Sequence, residues 1–200
     1  MPEVSALIVI DVQNDFCEAG ALAVTAGSEV IAPINEMIKT ADTVVFSQDW
    51  HPENHKSFAS TYASRAPYEE IEMPYGPQIL WPDHCVIGTK GAEFHPKLNS
   101  NQAQMIVRKG FRAHVDSYSA FFENDKQTTT GLDGYLKSRG IQAVTIVGLA
   151  LDFCVYFSAM DARALGYEVT VVKDACRPID LDGSLEKAMN DMKSAGVVIE

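Results

Sequence analysis

Three residues that could carry nucleophilic chemistry, Asp11, Lys109 and Cys154, each follow a short apolar segment of the sequence. A cysteine thiol can attack a carbonyl carbon, a carboxylate can take its proton, and an ammonium can stabilise the thiolate. Each residue alone has a simpler interpretation, because cysteines often only fill a core and most lysines lie on the surface. Their shared position after predicted strands is what favours a common site.

The segment Gly148–Cys154 gives the cysteine a specific setting. Asp152 is predicted to cap a helix, which would place Cys154 in the first helical turn. Backbone amides and the helix dipole favour a thiolate there, and the same amides can hold an oxyanion. Burial and the neighbouring thiolate are expected to raise the pKa of Asp11, making it a usable general base. Lys109 is expected at the end of an interior strand, paired with Asp11.

A second cluster has the residue types of a metal site. Asp49 and His51 are two positions apart, so an extended chain places both side chains on one face. With His84 they form a set of two histidines and one carboxylate, which suits Zn²⁺, Fe²⁺ or Mn²⁺ when water completes the shell. His55 is a further candidate ligand. The spacing alone favours a simpler interpretation, namely two turn residues and a distant histidine.

The elements that must position these residues alternate between strand and helix. The first predicted strand, Ala6–Ile10, is apolar without alternation, which is typical of a strand buried on both faces. The other predicted strands are Thr43–Phe46, Met105–Val107, Ala143–Val147, Glu168–Val172 and Val197–Ile199. The predicted helices are one after an N-cap at Ser28, then Leu132–Arg139, Cys154–Leu165 and Leu181–Ala195, with Gly140 and Gly166 ending the second and third. This alternation predicts a parallel sheet with helices on both faces.

The stretch from Trp50 to Leu98 interrupts the alternation. It is rich in proline, histidine, glycine and aromatic residues and has no clear period. A structureless stretch of roughly fifty residues inside a compact domain is often functional. Four aromatic residues are candidates for the walls of a pocket, although each could equally lie in the core: Phe16, Trp50, Trp81 and Tyr118. The length of 200 residues favours a single domain over residues 1–200.

The charge balance restricts the partners of the protein. Sixteen basic against 27 acidic residues give a net charge of −11, so neither nucleic acid nor an anionic membrane is expected as a partner. A small neutral or cationic ligand is compatible, and a homo-oligomer stays open. No apolar run reaches the ~18 residues of a membrane span and no signal peptide is expected, which favours a cytoplasmic location with free thiols at all four cysteines.

Five segments together resemble the nicotinamidase/pyrazinamidase branch of the isochorismatase-like cysteine hydrolases. They occur in the family's order, with similar spacing, and are Ala6–Phe16, Phe46–Phe58, Leu80–Pro96, Val107–Phe122 and Gly148–Val155. The first and last mark the superfamily. The Asp-Trp-His segment and the WPDHC segment are more specific, because they mark the metal-bearing branch.

The resemblance implies a fold and a set of site residues. The fold would be a single-domain, three-layer α/β/α structure with a six-stranded parallel sheet, of Rossmann-like character. The catalytic triad would be Asp11, Lys109 and Cys154. The ligands of one divalent ion, most often Zn²⁺, with Fe²⁺ or Mn²⁺ as alternatives, would be Asp49, His51 and His84, with His55 or water completing the shell.

The resemblance also implies a reaction, the hydrolysis of nicotinamide to nicotinate and ammonia through a cysteine thioester. Pyrazinamide would be a further substrate, and the activity would serve NAD salvage. Backbone amides of Ala150 and Cys154 would hold the oxyanion beside a cis Leu149–Ala150 bond, and the metal would bind the pyridine nitrogen. The pocket would be lined by Phe16, Leu22, Trp81, Tyr118 and Ala150.

One residue departs from the family pattern, and two other functions compete with the first. Leu151 stands where the family usually has threonine. A related amidohydrolase would keep the triad but act on another small amide. A non-catalytic metal or redox module could use Cys85, which directly follows His84, but it would leave Asp11 and Lys109 without a role.

Overall fold

The structure is a computed structural model that describes residues 4–200, so the first three residues of the predicted 1–200 domain lie outside it. Six strands form a parallel sheet: β1 Ser5–Ile10, β2 Val44–Asp49, β5 Met105–Lys109, β6 Ala143–Leu149, β7 Glu168–Arg177 and β8 Val198–Ile199. Their order across the sheet is β5-β2-β1-β6-β7-β8. The predicted α/β fold with a six-stranded parallel sheet is therefore confirmed.

Four α-helices connect the strands: α1 Ile31–Ile38, α2 Leu132–Ser138, α3 Tyr156–Ala164 and α4 Ser184–Ser194. Gly140 and Gly166 have left-handed backbone, with φ of 68° and 94°, as predicted for residues that follow a helix end. The predicted N-cap at Ser28 is wrong, because the chain enters α1 through a 3₁₀ turn at Gly27–Val30 without a side-chain cap. Proline in the first turn of α1 is tolerated, since its missing N–H would have no helical partner there.

The middle of the sheet is apolar on both sides. β1 lies between β2 and β6, and its residues from Ala6 to Ile10 are all buried. This burial explains the lack of alternation in its sequence. None of the helices within residues 4–200 is long and apolar enough to span a membrane.

The predicted structureless stretch contains a β-hairpin. Strands β3 Glu70–Met73 and β4 Gly76–Ile79 pair antiparallel. The alternation of charged and apolar residues in β3 is a signal for a half-buried strand, but the prolines and glycine nearby obscured it. The rest of the stretch follows an irregular path and contributes residues to the site described next.

Candidate active site

Four side chains with reactive chemistry meet at the carboxyl edge of the sheet. Asp11 follows β1, Asp49 ends β2, Lys109 ends β5, and Cys154 lies in a π-helical turn, Leu151–Val155, that follows β6. All four are buried. The outer ends of parallel strands are the usual ligand-binding edge of this fold class, and the strand order β5-β2-β1-β6 brings these four ends side by side.

Lys109 connects the cluster. Its ammonium lies 2.5 Å from Asp49 Oδ1, 2.8 Å from Asp11 Oδ2, 2.8 Å from the carbonyl oxygen of Ser117 and 3.5 Å from Cys154 Sγ. Burial works to lower the pKa of Lys109, but the carboxylates of Asp11 and Asp49 outweigh it and hold that pKa well above its ordinary value. The expected pairing with Asp11 is present.

The expected interior position of Lys109 is wrong, because β5 is an edge strand of the sheet. Side chains alternate between the two faces of β5, so that Ile106 and Arg108 are exposed while Val107 and Lys109 point inward. The edge position therefore does not expose Lys109.

Both carboxylate oxygens of Asp11 have a polar neighbour. Ser47 Oγ donates a hydrogen bond to Oδ1 at 2.7 Å. Oδ2 lies 2.8 Å from the ammonium of Lys109 and forms an ion pair with it. The carboxylate is therefore held at both oxygens in a buried site that it shares with the thiol.

The pKa of Asp11 is raised, as predicted. Burial is the largest cause, Lys109 opposes it, and the charge of Asp49 adds to it. The charge that assists burial is thus Asp49 and not the predicted thiolate. A carboxylate with a raised pKa is better matched to proton transfer near neutral pH.

Burial dominates the electrostatics of Cys154. It raises the pKa of the thiol well above the ordinary value, Lys109 opposes that effect, and Asp11 and Asp49 add to it. This direction opposes the predicted preference for a thiolate. The thiol lies close to a base, however, since oxygens of Asp11 and Asp49 and the Cys154 sulfur are all within 4.8 Å of one another.

Asp152 does not cap the helix as predicted. Its carboxylate accepts hydrogen bonds from the backbone amides of Ile179 and Asp180, at 2.9 and 2.7 Å, and from Ser184 Oγ at 2.5 Å. Ser184 begins α4. Asp152 therefore ties the turn that carries Cys154 to the segment leading into α4, and the Leu149–Ala150 bond before that turn is cis, as the family pattern implies.

Asp49, His51 and His84 form a group whose donor atoms converge. The Nε2 atoms of His51 and His84 lie 3.6 and 3.7 Å from Asp49 Oδ2. The Nδ1 atoms lie 2.8 Å from the carbonyl oxygens of Gly110 and Pro82. Because a carbonyl can only accept, each Nδ1 carries a hydrogen, and each Nε2 is left facing Asp49 as the ring atom that a bound metal would use.

Two further observations fit a divalent ion at this group. His51 Nε2 is buried and makes no hydrogen bond within the described part of the chain. Gly110, with a φ of 68°, lies so close to the His51 imidazole that a Cβ there would collide with the ring. The chain thus holds a buried ring nitrogen without a hydrogen-bond partner rigidly beside a carboxylate, and the three residues indicate a divalent metal site.

The structure places His55 beside this group but gives both of its ring nitrogens other partners. Its ring centroid is 4.4 Å from that of His51. Nε2 lies 3.2 Å from the carbonyl oxygen of Val115, and Nδ1 lies 2.7 Å from Ser57 Oγ. Neither nitrogen of His55 presents a free lone pair to the ion site.

A pocket lined mainly by aromatic and apolar residues opens onto Cys154. All five predicted lining residues are present in its wall: Phe16, Leu22, Trp81, Tyr118 and Ala150. Trp50 does not line the pocket, contrary to expectation, and its ring instead packs against the guanidinium of Arg108, 4.1 Å from the ring centroid. Asp116, Phe153 and Ile179 also line the pocket and were not predicted. Phe153 could have been predicted as a pocket residue, because it directly precedes the nucleophile Cys154. Nothing in the sequence indicated Asp116 or Ile179.

Comparison with known families defines the class of protein. The Isochorismatase domain matches residues 5–200 of the chain. The chain therefore belongs to the isochorismatase family.

The most similar relatives narrow this class. The chain is 53% identical over 192 residues to a nicotinamidase of Acinetobacter baylyi, with 96% of this chain and 90% of the relative covered. A solved nicotinamidase/pyrazinamidase of Acinetobacter baumannii has a TM-score of 0.97 at 53% identity, covering 100% and 96% of the two chains. A pyrazinamidase of Pyrococcus horikoshii in complex with zinc has a TM-score of 0.79 at 37% identity, with 98% of each chain covered. Within the family, the chain groups with the nicotinamidases and pyrazinamidases.

Replacing His51 with alanine is expected to reduce the bound metal far below one ion per chain. The change removes the one histidine whose Nε2 is buried without a partner, and loss of a ligand from such a set weakens the site strongly. Metal analysis of the purified variant measures this directly. His114→Ala, at an exposed histidine, is the matched control and should keep the wild-type metal content. A full complement of metal in His51→Ala would exclude His51 as a ligand.

Proposed function

We propose that the protein hydrolyses nicotinamide to nicotinate and ammonia, with Cys154 as the nucleophile. The observation that carries the proposal is the convergence of an acid, a lysine, a cysteine and a metal-binding group on one small pocket. The pocket is lined mainly by aromatic and apolar residues, among them Phe16, Trp81 and Phe153. Such a lining suits a single planar ring that carries an amide.

In the first half of the reaction, Asp11 Oδ2 takes the proton of the Cys154 thiol as the sulfur attacks the carboxamide carbon. Lys109 stabilises the negative charge on both groups from 2.8 and 3.5 Å. The backbone amides of Ala150 and Cys154 hold the oxyanion. Asp11 then returns the proton to the leaving nitrogen, the carbon–nitrogen bond breaks, and ammonia departs from a thioester on Cys154.

In the second half, water attacks the thioester carbon while Asp11 takes its proton. The carbon–sulfur bond breaks, nicotinate is released, and the proton returns to the sulfur. Asp11 thus serves as base and acid in alternation. Its buried position and its raised pKa suit both roles.

The metal-binding group selects the substrate. Asp49, His51 and His84 would hold a divalent ion, which we propose to be Zn²⁺, and the bound ion supplies a Lewis-acid contact for the pyridine nitrogen. Phe16 and Trp81 form part of the apolar wall around the ring. Pyrazinamide, whose ring also has a nitrogen at the matching position, is a second substrate. The product nicotinate returns the pyridine ring to NAD synthesis.

The experiment that tests the proposal is a measurement of ammonia release from nicotinamide by the purified, metal-loaded protein. Removal of the metal with a chelator is expected to reduce the rate at least about tenfold, since mutation of even an outer-shell partner of a metal ligand typically costs about 10–100-fold. Re-addition of Zn²⁺ should restore it. A wild-type protein that releases ammonia equally well without metal would contradict the metal's role. If the loaded protein releases ammonia only from other small amides, nicotinamide is the wrong substrate.

A further inference from the structure

Gln78 is a buried polar residue on a largely exposed hairpin. It lies in β4 with 1% of its surface exposed, while β3 and the rest of β4 are exposed or half-buried. A two-stranded hairpin is marginally stable by itself, and a buried amide requires hydrogen-bond partners. The contacts of Gln78 lead from the hairpin to the substrate pocket.

The amide nitrogen of Gln78 donates toward two residues of the pocket wall. It lies 2.9 Å from Asp116 Oδ2 and 2.9 Å from the hydroxyl of Tyr118, and it also lies 2.8 Å from the carbonyl oxygen of Ile79. Because a carboxylate can only accept, the contact with Asp116 fixes which end of the amide faces the pocket. The other end, Oε1, accepts from Tyr75 and from Asn124, both at 3.1 Å.

Tyr118 is held from two sides. Its hydroxyl oxygen accepts from Gln78 and also from Trp81 Nε1, at 3.1 Å. The single N–H of Trp81 is therefore directed to the same oxygen as Gln78. Phe153 packs edge-to-face against both rings, with centroid distances of 5.0 Å to Trp81 and 5.8 Å to Tyr118.

We infer that Gln78 is a positioning residue of the active site, which fixes the Tyr118 and Trp81 walls of the substrate pocket through the Tyr118 hydroxyl. This inference rests on the proposed function for its kinetic consequence. Gln78 does not line the pocket, so it acts on the substrate through its neighbours. Loss of its amide removes one of the two hydrogen bonds that hold the Tyr118 hydroxyl and leaves Asp116 without one donor. It therefore weakens binding of the substrate ring more than the chemical step.

The test replaces Gln78 with methionine, which keeps the length of the side chain and removes the donor toward Tyr118. We expect the KM for nicotinamide to rise about tenfold, with kcat changed by less than about threefold and metal content unchanged, which is the pattern of lost binding. Glu72→Met, which places the same new side chain at an exposed position of the same hairpin, is the matched control and should behave as wild type.

A double-mutant cycle tests the route through Tyr118. In a Tyr118→Phe background, Gln78→Met should raise the KM much less than in the wild-type background, since residues in one hydrogen-bond network are not additive. Equal effects in both backgrounds would overturn the inference. So would a folded Gln78→Met protein with the wild-type KM, or one in which kcat falls while KM is unchanged.

A second measurement is independent of the reaction. The chain has two tryptophans, so its spectrum of indole N–H groups contains two resonances, and Trp50 is the internal reference. Gln78→Met should displace the Trp81 resonance and leave that of Trp50 unchanged, whereas an unmoved Trp81 resonance would contradict the positioning role. A wild type that does not hydrolyse nicotinamide would refute the proposed function, and the indole spectrum would still decide the role of Gln78.

Discussion

Cys154→Ala is expected to lower kcat for nicotinamide hydrolysis by on the order of 10⁴-fold or more, because removal of a nucleophile that works with a base has effects of this size. The variant should still bind nicotinamide, because the proposed contacts with the substrate ring come from the metal-binding group and the aromatic walls. The substitution leaves both unchanged. Ammonia release gives the rate, and calorimetric titration with nicotinamide gives the binding. Removal of the buried thiol also takes away one hydrogen-bond acceptor of Lys109. The free energy of unfolding must therefore be measured together with the rate.

The matched control for this prediction is Cys176→Ala, which removes another buried, free cysteine. It lies in β7 beside Gly148 and has no contact with the Asp11–Lys109 pair. Its kcat should stay near that of the wild type. A Cys154→Ala protein with full activity would exclude the thioester route.

Residues that follow strands could be predicted from sequence because the pattern is local. An apolar run such as that of β1 identifies a buried strand, and the residue after it, Asp11, must lie at the edge of the sheet. The pair Asp49 and His51 was available from its spacing alone. The group around His84 needed the family resemblance, because an irregular segment brings His84 back to β2.

Strand order and long-range hydrogen bonds could not be predicted in this way. The position of β5 at the sheet edge depends on how the whole chain crosses, and no residue within Met105–Lys109 encodes it. The contacts of Gln78 join positions 38 and 40 residues apart. A glutamine in a proline- and glycine-rich stretch is usually exposed, so only the folded chain shows that this one is buried against the pocket.

The directions of the pKa shifts could be predicted from the sequence only where local burial decides them. That Asp11 would have a raised pKa followed from its burial, which the strand pattern already indicated. The state of Cys154 depends on a balance between burial and the charges of three side chains from three different strands. Such a balance requires the distances, and they favour the thiol over the predicted thiolate.

Lys109→Met is expected to have a large effect on both stability and activity. It leaves the carboxylates of Asp11 and Asp49 buried next to each other without the ammonium that now lies 2.8 and 2.5 Å from them. Breaking a buried pair by removing one partner typically costs about 3–5 kcal/mol of unfolding free energy. The loss of charge beside the thiolate is expected to lower kcat by on the order of 10³-fold, within the range for removal of a preorganised stabilising group. Urea unfolding and ammonia release measure the two effects.

The control and the rescue separate charge from packing. Lys137→Met removes the lysine of an exposed pair with Asp133 on α2, and it should change the unfolding free energy by no more than about 0.5 kcal/mol. Adding Asp11→Asn to Lys109→Met removes one of the two uncompensated carboxylates, so the double variant should regain part of the lost stability. It should not regain activity, because the base is then absent as well. If Asp11→Asn instead destabilises the Lys109→Met protein further, the cluster is held together by packing, and the electrostatic account of Lys109 is wrong.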